Sequence, residues 1–339
     1  MERNLITLAM PIYNVENYIE KALFSALNQT YDNIEYILVD DKGTDKSMDM
    51  VRNIISSHRR KANVKIIEHQ QNIGLGATRN TAIDAATGKY IFFMDSDDEI
   101  SLDCIEKLHA QMQAEDVDLV IGSYKRVLRT GETIEECICN NPSIHKHQDI
   151  VWNFFEKRNK FIPVTTWNKL YNVSFLRDKQ IYCIPHHLNE DTVFSFQVFL
   201  NANSCAFVQD ITYYYYDTPN SIVNADISYR IGVGFTEISD FWWNYAQNYN
   251  RESVYESILS YICLKTFYRY ARTCESRLLS RTEKKEILKK LSFFPLSFRE
   301  IMRLKRKRLF LLVCKFAFAL PFRSTLIGIC WTLIKLGRK

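Results

Sequence analysis

Four largely apolar, β-rich runs alternate with stretches of helical periodicity over the first 125 residues, and this alternation limits the fold more than any other feature. The runs are Leu5–Met10, Ile34–Asp40, Val64–Ile67 and Tyr90–Met94. Between them, Ile19, Leu23 and Leu27 recur at helical spacing beside Ala22 and Ala26, Met48, Val51 and Ile55 mark a second helix, and the small residues around Ala77–Ala86 a third. Ser101 is expected to cap a further helix carrying Leu102, Ile105, Leu108 and Met112, followed by a strand at Asp118–Tyr124. Strands without polar alternation are buried on both faces, so the repeated βα units predict an α/β fold with a mainly parallel sheet covered by helices on both faces. Ligands on such sheets sit beyond the carboxyl ends of the strands. Residues 126–165 read as loops with a helix near Ile150–Phe155, and the pattern from Arg230 to Leu291 is helical.

Charge is distributed unevenly. Between Leu291 and Lys339 lie eleven of the 44 Lys and Arg but only one of the 39 acids, Glu300, so this stretch carries +10 and the remainder −5. An acidic body argues against a general nucleic-acid binder. Arg303, Lys305, Arg306, Lys307 and Arg308 precede the apolar stretch Leu309–Leu320, and a second one, Leu326–Leu336, ends in Gly337-Arg338-Lys339. A membrane-crossing helix needs ~20 apolar residues, so the two stretches are expected to lie in the interface of an anionic membrane. Packing of a basic-faced helix on the body is the plainer alternative. The nine cysteines are odd in number and scattered, and Met1 leads into polar residues with no signal-peptide core; both point to a reduced, cytoplasmic setting. Cys137-x-Cys139 with His145-x-His147 does not match the usual zinc spacing.

The strand ends hold the chemistry. Asp95-Ser96-Asp97-Asp98 places three carboxylates directly after a buried strand, where unpaired charges repel and raise one another's pKa. A divalent cation with a preference for oxygen, Mn2+ or Mg2+, relieves that repulsion and can bridge to a diphosphate; an acidic turn into the next helix is the alternative. Asp40-Asp41 ends the second run, and a carboxylate there can accept from a nucleobase N–H or a ribose hydroxyl, or simply cap a helix. Tyr13 could stack on a base. There is no Gly-x-x-x-x-Gly-Lys loop, and Gly74-Leu75-Gly76 lacks the third glycine of a dinucleotide fingerprint.

Seven segments, in order, resemble the family 2 glycosyltransferases of the GT-A fold. They are Pro11-Ile12-Tyr13-Asn14, Asn28-Gln29-Thr30-Tyr31, Val39-Asp40-Asp41 with Thr44-Asp45, Asn72-Ile73-Gly74-Leu75 with Arg79-Asn80, Gly88-Lys89-Tyr90-Ile91 with Asp95-Ser96-Asp97-Asp98, Trp167-Asn168-Lys169-Leu170-Tyr171, and Asn189-Glu190-Asp191-x-x-Phe194. Lys42-Gly43 departs from the Gly-Ser common after the paired Asp. The resemblance implies that Pro11, Tyr13, Asp40 and Asp41 surround the base, that Arg79 lies near the nucleotide, and that Asp95 faces the ribose beside Ser96. It implies Asp97, with Asp95, as metal ligand, Trp167 and Asp98 beside the sugar or acceptor, and Asp191 as catalytic base with Glu190 in reserve. Tyr213–Tyr216 with Ser221-Ile222 resembles the strand that closes such domains, expected at an edge. The implied organisation is a catalytic domain over 1–222, a helical extension over 223–298 and a membrane-associating tail over 299–339.

The function so implied is inverting, metal-assisted transfer of a sugar from a nucleotide-diphospho-sugar, with UDP expected, to a hydroxyl of a glycan or lipid-linked glycan, for a capsule or lipopolysaccharide-type surface polymer. The enzyme is expected on the inner face of the cell membrane. The competing reading is a non-catalytic nucleotide-sugar-binding or scaffold protein that keeps the fold. A processive synthase would need membrane-spanning helices, which are not evident in the sequence.

Overall fold

Every residue of the first strand, β1 (Ile6–Ile12), is buried, as the lack of polar alternation predicts. The computed structural model describes residues 3–156, 162–185, 189–217, 226–249, 253–305 and 307–319. The chain forms two compact units, residues 1–150 with 159–221 and residues 151–158 with 222–339.

In the first unit the order is β1, α1 (Ile19–Leu27), β2 (Ile34–Asp40), α2 (Ser47–Ser57), β3 (Val64–Glu68), α3 (Leu75–Ala85), β4 (Tyr90–Phe93), β5 (Glu99–Ile100), α4 (Cys104–Glu115), β6 (Leu119–Val127) and β7 (Thr133–Cys137). Then come α5 (His147–Glu156), which runs into the second unit, β8 (Lys169–Asn172), α6 (Val173–Asp178), α7 (Glu190–Asn201) and β9 (Cys205–Tyr216). The strands form one sheet in the order β3-β2-β1-β4-β8-β6-β9-β5, with β7 added to β6. β3, β2, β1 and β4 are parallel, and so are β6 and β9; β8 enters antiparallel between β4 and β6.

Alternation along the strands assigns the two faces. Ile6, Leu8, Met10 and Ile12 of β1, with Ile34, Tyr36 and Leu38 of β2, share a core with Leu23 and Leu27 of α1, Val51 of α2 and Ile105 and Leu108 of α4. On the other face, Phe93 of β4 and Tyr171 of β8 meet Phe194 of α7 edge-on, with ring centroids 6.1 and 5.6 Å apart. Helices thus cover both faces, and the parallel half directs the ends of β1, β2 and β4 to one side.

Three local expectations are corrected. The helix after Ser101 starts at Cys104, so Leu102 lies outside it, 58% exposed, and the Ser101 hydroxyl donates to Asp103 instead of accepting from a helix N–H. Residues 126–165 also hold a strand, β7, in which only Cys137 is buried. The Tyr213–Tyr216 strand lies inside the sheet, between β6 and β5, with Tyr213 fully buried. Ser221-Ile222 lies outside the described residues.

The second unit is helical: α8 (Tyr229–Ala246), α9 (Tyr255–Glu275), α10 (Arg281–Leu291), α11 (Phe298–Arg303) and α12 (Arg308–Ala319). Ser280 with Glu283 and Ser297 with Glu300 form capping boxes that start α10 and α11. α12 is two-faced. Leu311, Cys314, Ala317 and Phe318 are buried, with Phe318 stacked 4.7 Å from Phe267 of α9. Leu309, Val313 and Phe316 are exposed, at 77%, 49% and 56%. Among the described residues no helix is long and apolar enough to cross a membrane, and the second apolar stretch, Leu326–Leu336, lies outside them.

Candidate active site

The ends of β1 and β2 are tied together. The Asn14 side chain, in a left-handed residue at φ 53°, accepts from the Thr44 N–H at 2.7 Å. Asp40 accepts from Lys42 N–H at 2.9 Å and more weakly from Gly43 N–H, with Lys42 itself at φ 60°. Tyr13 stands out from this rim, 47% exposed, whereas Pro11 is buried. Asp41 is buried, and its own chain engages both its oxygens: Oδ1 accepts from Ile73 N–H at 3.0 Å and lies 2.8 Å from His69 Nδ1, while Oδ2 accepts from Gly74 N–H at 2.9 Å. Gly74 turns the chain at φ 87° into α3. At Gly76 an added Cβ would lie 2.5 Å from the Ile184 carbonyl, so only glycine lets α3 sit this close.

One turn into α3, Arg79 is buried and donates to Asp95 Oδ1 and to Glu190 Oε1, each at 2.7 Å. Burial works against its charge, but Asp95 and Glu190 more than offset this, and its pKa is raised. The guanidinium therefore joins the end of β4 to the start of α7.

The four residues Asp95–Asp98, which follow β4 and Met94, divide by orientation. Asp95 is half-buried and its N–H donates to the Tyr213 hydroxyl at 3.1 Å. Ser96 is buried. The Asp97 carboxylate makes no hydrogen bond to another described residue, and burial, reinforced by Asp95 and only partly opposed by its own backbone and by Arg129, pushes its pKa up to about 6. Asp98 lies beneath the opening: it is 1% exposed, and its oxygens accept from the Tyr213 hydroxyl and the Tyr216 N–H, both at 2.8 Å. Asp95 and Asp97 therefore remain as hard oxygen ligands. Among the described residues no group of three or more His, Cys, Asp or Glu is arranged to hold a metal ion. A pair suits Mg2+ or Mn2+, which take one or two carboxylates and complete their shell with water and substrate phosphate.

At the start of α7 the two acids differ. Glu190 is held by Arg79, and burial raises its pKa to about 7 against the pull of that arginine. Asp191 Oδ1 accepts from the N–H and hydroxyl of Thr192 at 2.6 and 3.2 Å, while Oδ2 has no partner among the described residues; burial raises this carboxyl too. Trp167 is a packed residue, stacked 4.4 Å from Tyr213 and edge-on to Tyr124 at 5.0 Å. The Cys137, Cys139, His145 and His147 side chains do not converge; the two histidines pair with Glu115 and the Ala202 carbonyl.

Three side chains at this end of the sheet escaped the sequence reading. His69 bridges Asp41 to Thr81 of α3 at 3.0 Å. Lys169 is buried, pushed down to about 7 by burial, and its ammonium donates to the carbonyl and hydroxyl of Thr165. Arg129, on the hairpin between β6 and β7, donates to the Asp97 carbonyl at 2.6 Å. Their signals are single polar residues whose partners are distant in sequence.

Residues 7–173 match the pattern of "Glycosyl transferase family 2". EpsH of Bacillus subtilis is 35% identical over 227 residues, which are 66% of this chain and 64% of EpsH. The poly(ribitol-phosphate) beta-N-acetylglucosaminyltransferase TarS of Staphylococcus aureus is 28% identical over 221 residues, 62% of this chain and 35% of TarS. The aligned stretch thus spans less than two thirds of either relative. The structure of TarS residues 1–349 in complex with UDP-GlcNAc superimposes with a TM-score of 0.73 at 20% identity, covering 98% of this chain and 92% of that one. A mannosyltransferase of Pyrobaculum calidifontis, in complex with GDP-Man and Mn2+, superimposes with a TM-score of 0.56 at 14% identity, over 100% and 89% of the two chains. The sheet is accordingly the GT-A arrangement, and the segment that runs from the first strand through Asp95-Ser96-Asp97-Asp98 to the end of β8 belongs to glycosyl transferase family 2.

Proposed function

We propose that this chain is an inverting glycosyltransferase that moves a sugar from a nucleotide-diphospho-sugar, a UDP-sugar first among the candidates, to a hydroxyl of a surface-polysaccharide acceptor. The observation that carries the reading is the division of labour around Arg79. One acid of the α7 pair is neutralised, and the other, Asp191, keeps an oxygen without a partner among the described residues. A free carboxylate at that position can take the proton of an acceptor hydroxyl as its oxygen bonds to the anomeric carbon and the bond to the diphosphate breaks. Attack opposite the leaving group inverts the anomeric configuration.

Pro11, Tyr13, Asp40 and Asp41 would frame the base, with Asp41 also shaping the loop into α3. Asp95 would face the ribose beside Ser96, and Asp95 and Asp97 would hold Mn2+ or Mg2+. A bound divalent ion would neutralise the charge that builds on the leaving diphosphate. Arg79 keeps Asp95 and Glu190 in register. Trp167 and Asp98 act from beneath the site, through Tyr213. UDP-GlcNAc in the TarS complex and poly(ribitol-phosphate) in that protein's name support a UDP donor and a polymer acceptor; a capsule or lipopolysaccharide-type polymer is the acceptor we propose. We assign 1–222 to catalysis, 223–298 to a helical extension and 299–339 to peripheral association with the inner membrane face. The exposed stripe of α12 and the exposed Arg299, Arg303 and Lys305 support the last of these.

Nucleotide release from a panel of UDP-, GDP- and dTDP-sugars, with manganese and glycan acceptors, tests the reading. Turnover of one donor, with an anomerically inverted product, is expected. Binding of a donor without turnover on any acceptor would favour the non-catalytic alternative.

A further inference from the structure

The turn between β6 and β7 brings an arginine to the metal-type loop. Leu128 N–H donates to the Glu132 carbonyl at 2.8 Å, Gly131 N–H to Leu128 at 2.9 Å, and Gly131 takes φ 92°, which closes a tight turn around Arg129. The base of the hairpin is fixed. Arg126 makes a forked pair with Asp217 at 2.8–2.9 Å, and Asp217 N–H donates to the Val127 carbonyl at 3.0 Å.

From that base the Arg129 guanidinium lies between two rings contributed by other parts of the chain. Its central carbon is 4.1 Å from the Tyr18 ring centroid and 4.3 Å from that of Tyr216. One nitrogen donates to the Asp97 carbonyl at 2.6 Å, and no carboxylate pairs with the side chain among the described residues. Tyrosine faces attract the cation and fix its plane without consuming its N–H edge. A guanidinium has five N–H donors in a rigid fork that matches two phosphate oxygens. This is therefore a preorganised cation with open donors, bonded to the backbone of the residue that would ligate the metal.

The charge of the site calls for such a group. Asp95, Asp97, Asp98, Glu190 and Asp191 gather at this end of the sheet, and both terminal nitrogens of Arg79 are committed to two of them. An incoming diphosphate adds further negative charge, which a metal ion alone neutralises incompletely.

We infer that Arg129 is a substrate-binding residue that grips the diphosphate of the donor, and of the nucleoside diphosphate left after transfer, with Tyr18 and Tyr216 as positioning residues that hold its plane. This rests on the nucleotide-sugar reading of the same site. Lysine would supply charge but neither the fork nor the flat stacking surface, so Arg129→Lys should recover only part of the binding.

Calorimetry on the full chain with Mn2+ separates the possibilities, using UDP and uridine, and GDP and guanosine, as probes. Wild-type protein should bind one nucleoside diphosphate. In Arg129→Gln that affinity should fall by about 10- to 100-fold, in Arg129→Lys by less, while affinity for the matching nucleoside stays within about twofold. Thermal unfolding identifies folded variants; if Arg129→Gln does not fold, Arg129→Lys carries the comparison. Undiminished diphosphate binding in the folded variants would overturn the inference. Equal loss for diphosphate and nucleoside would also overturn it, since Arg129 would then only shape the loop. Failure of the wild type to bind any of the four would overturn the donor-site reading itself.

Discussion

Asp95 at the end of β4 and Glu190 at the start of α7 share one guanidinium, each 2.7 Å from a different nitrogen of the buried Arg79. The catalytic end of the sheet is thus assembled around a side chain of α3. Arg79→Gln would leave two carboxylates uncompensated in a largely buried setting, at a cost of ~3–5 kcal/mol. Urea unfolding measures it; a loss below ~1 kcal/mol would show that the pair does not hold the site together.

Asp97 and Asp98 are adjacent yet should respond in opposite ways. Asp97→Asn removes a charge that burial and Asp95 disfavour more than Arg129 favours it, so the apo protein should be as stable as wild type or more so, while activation by manganese is lost. Asp98→Asn replaces a carboxylate that accepts from both Tyr213 and Tyr216, so it should lower the melting temperature. Excess chelator should abolish wild-type turnover, and added Mn2+ or Mg2+ should restore it. Full turnover in chelator would rule out the metal role.

Acid should switch the enzyme off earlier than an ordinary carboxylate would. Burial raises both Asp191 and Glu190, the latter to about 7. With Asp191 needed ionised, kcat/KM should fall about tenfold per pH unit below its raised pKa. Stability moves the other way. Between the ordinary carboxylate value and about 7 the folded state binds more protons than the unfolded one, so stability from these acids declines as pH rises. Melting temperatures of wild type and Glu190→Gln, compared from pH 4.5 to 7.5, should show a shallower decline in the variant. An equal or steeper decline would contradict the raised value.

Much of this was legible in the sequence because parallel strands read as largely apolar runs and their ends carry polar residues. β1 to β4, the helices between them and the aspartates after β2 and β4 follow from that rule alone. β7 was not legible, because four of its five residues are exposed and it has no apolar period. Neither was the interior position of β9, which depends on pairing with β6 far away in the chain. The difference between Asp97 and Asp98 is set by Tyr213, and that between Glu190 and Asp191 by Arg79. Spacing along the chain encodes neither partner.

The tail prediction follows the two faces of α12. Deleting it would also strip Phe318 from Phe267, so substitution on the exposed face is the cleaner test. Leu309→Glu with Val313→Glu and Phe316→Glu should leave the fold intact and reduce binding to phosphatidylglycerol vesicles by tenfold or more. Wild-type binding should weaken with salt, as screening within ~8 Å at physiological ionic strength requires, and leave an apolar remainder. Unchanged vesicle binding in the triple variant would move the membrane contact elsewhere.

In the proposed reaction Asp191 is the base that takes the acceptor proton, with Glu190 tied to Arg79. Single-turnover rates of Asp191→Asn and Glu190→Gln, measured with nucleoside diphosphate affinity on the same samples, test it most directly. Asp191→Asn keeps the side-chain size but cannot accept that proton, so the rate should fall by ~10²-fold or more with nucleotide affinity retained. Glu190→Gln should fall less. A near wild-type rate in Asp191→Asn would contradict the account, whatever Glu190→Gln does.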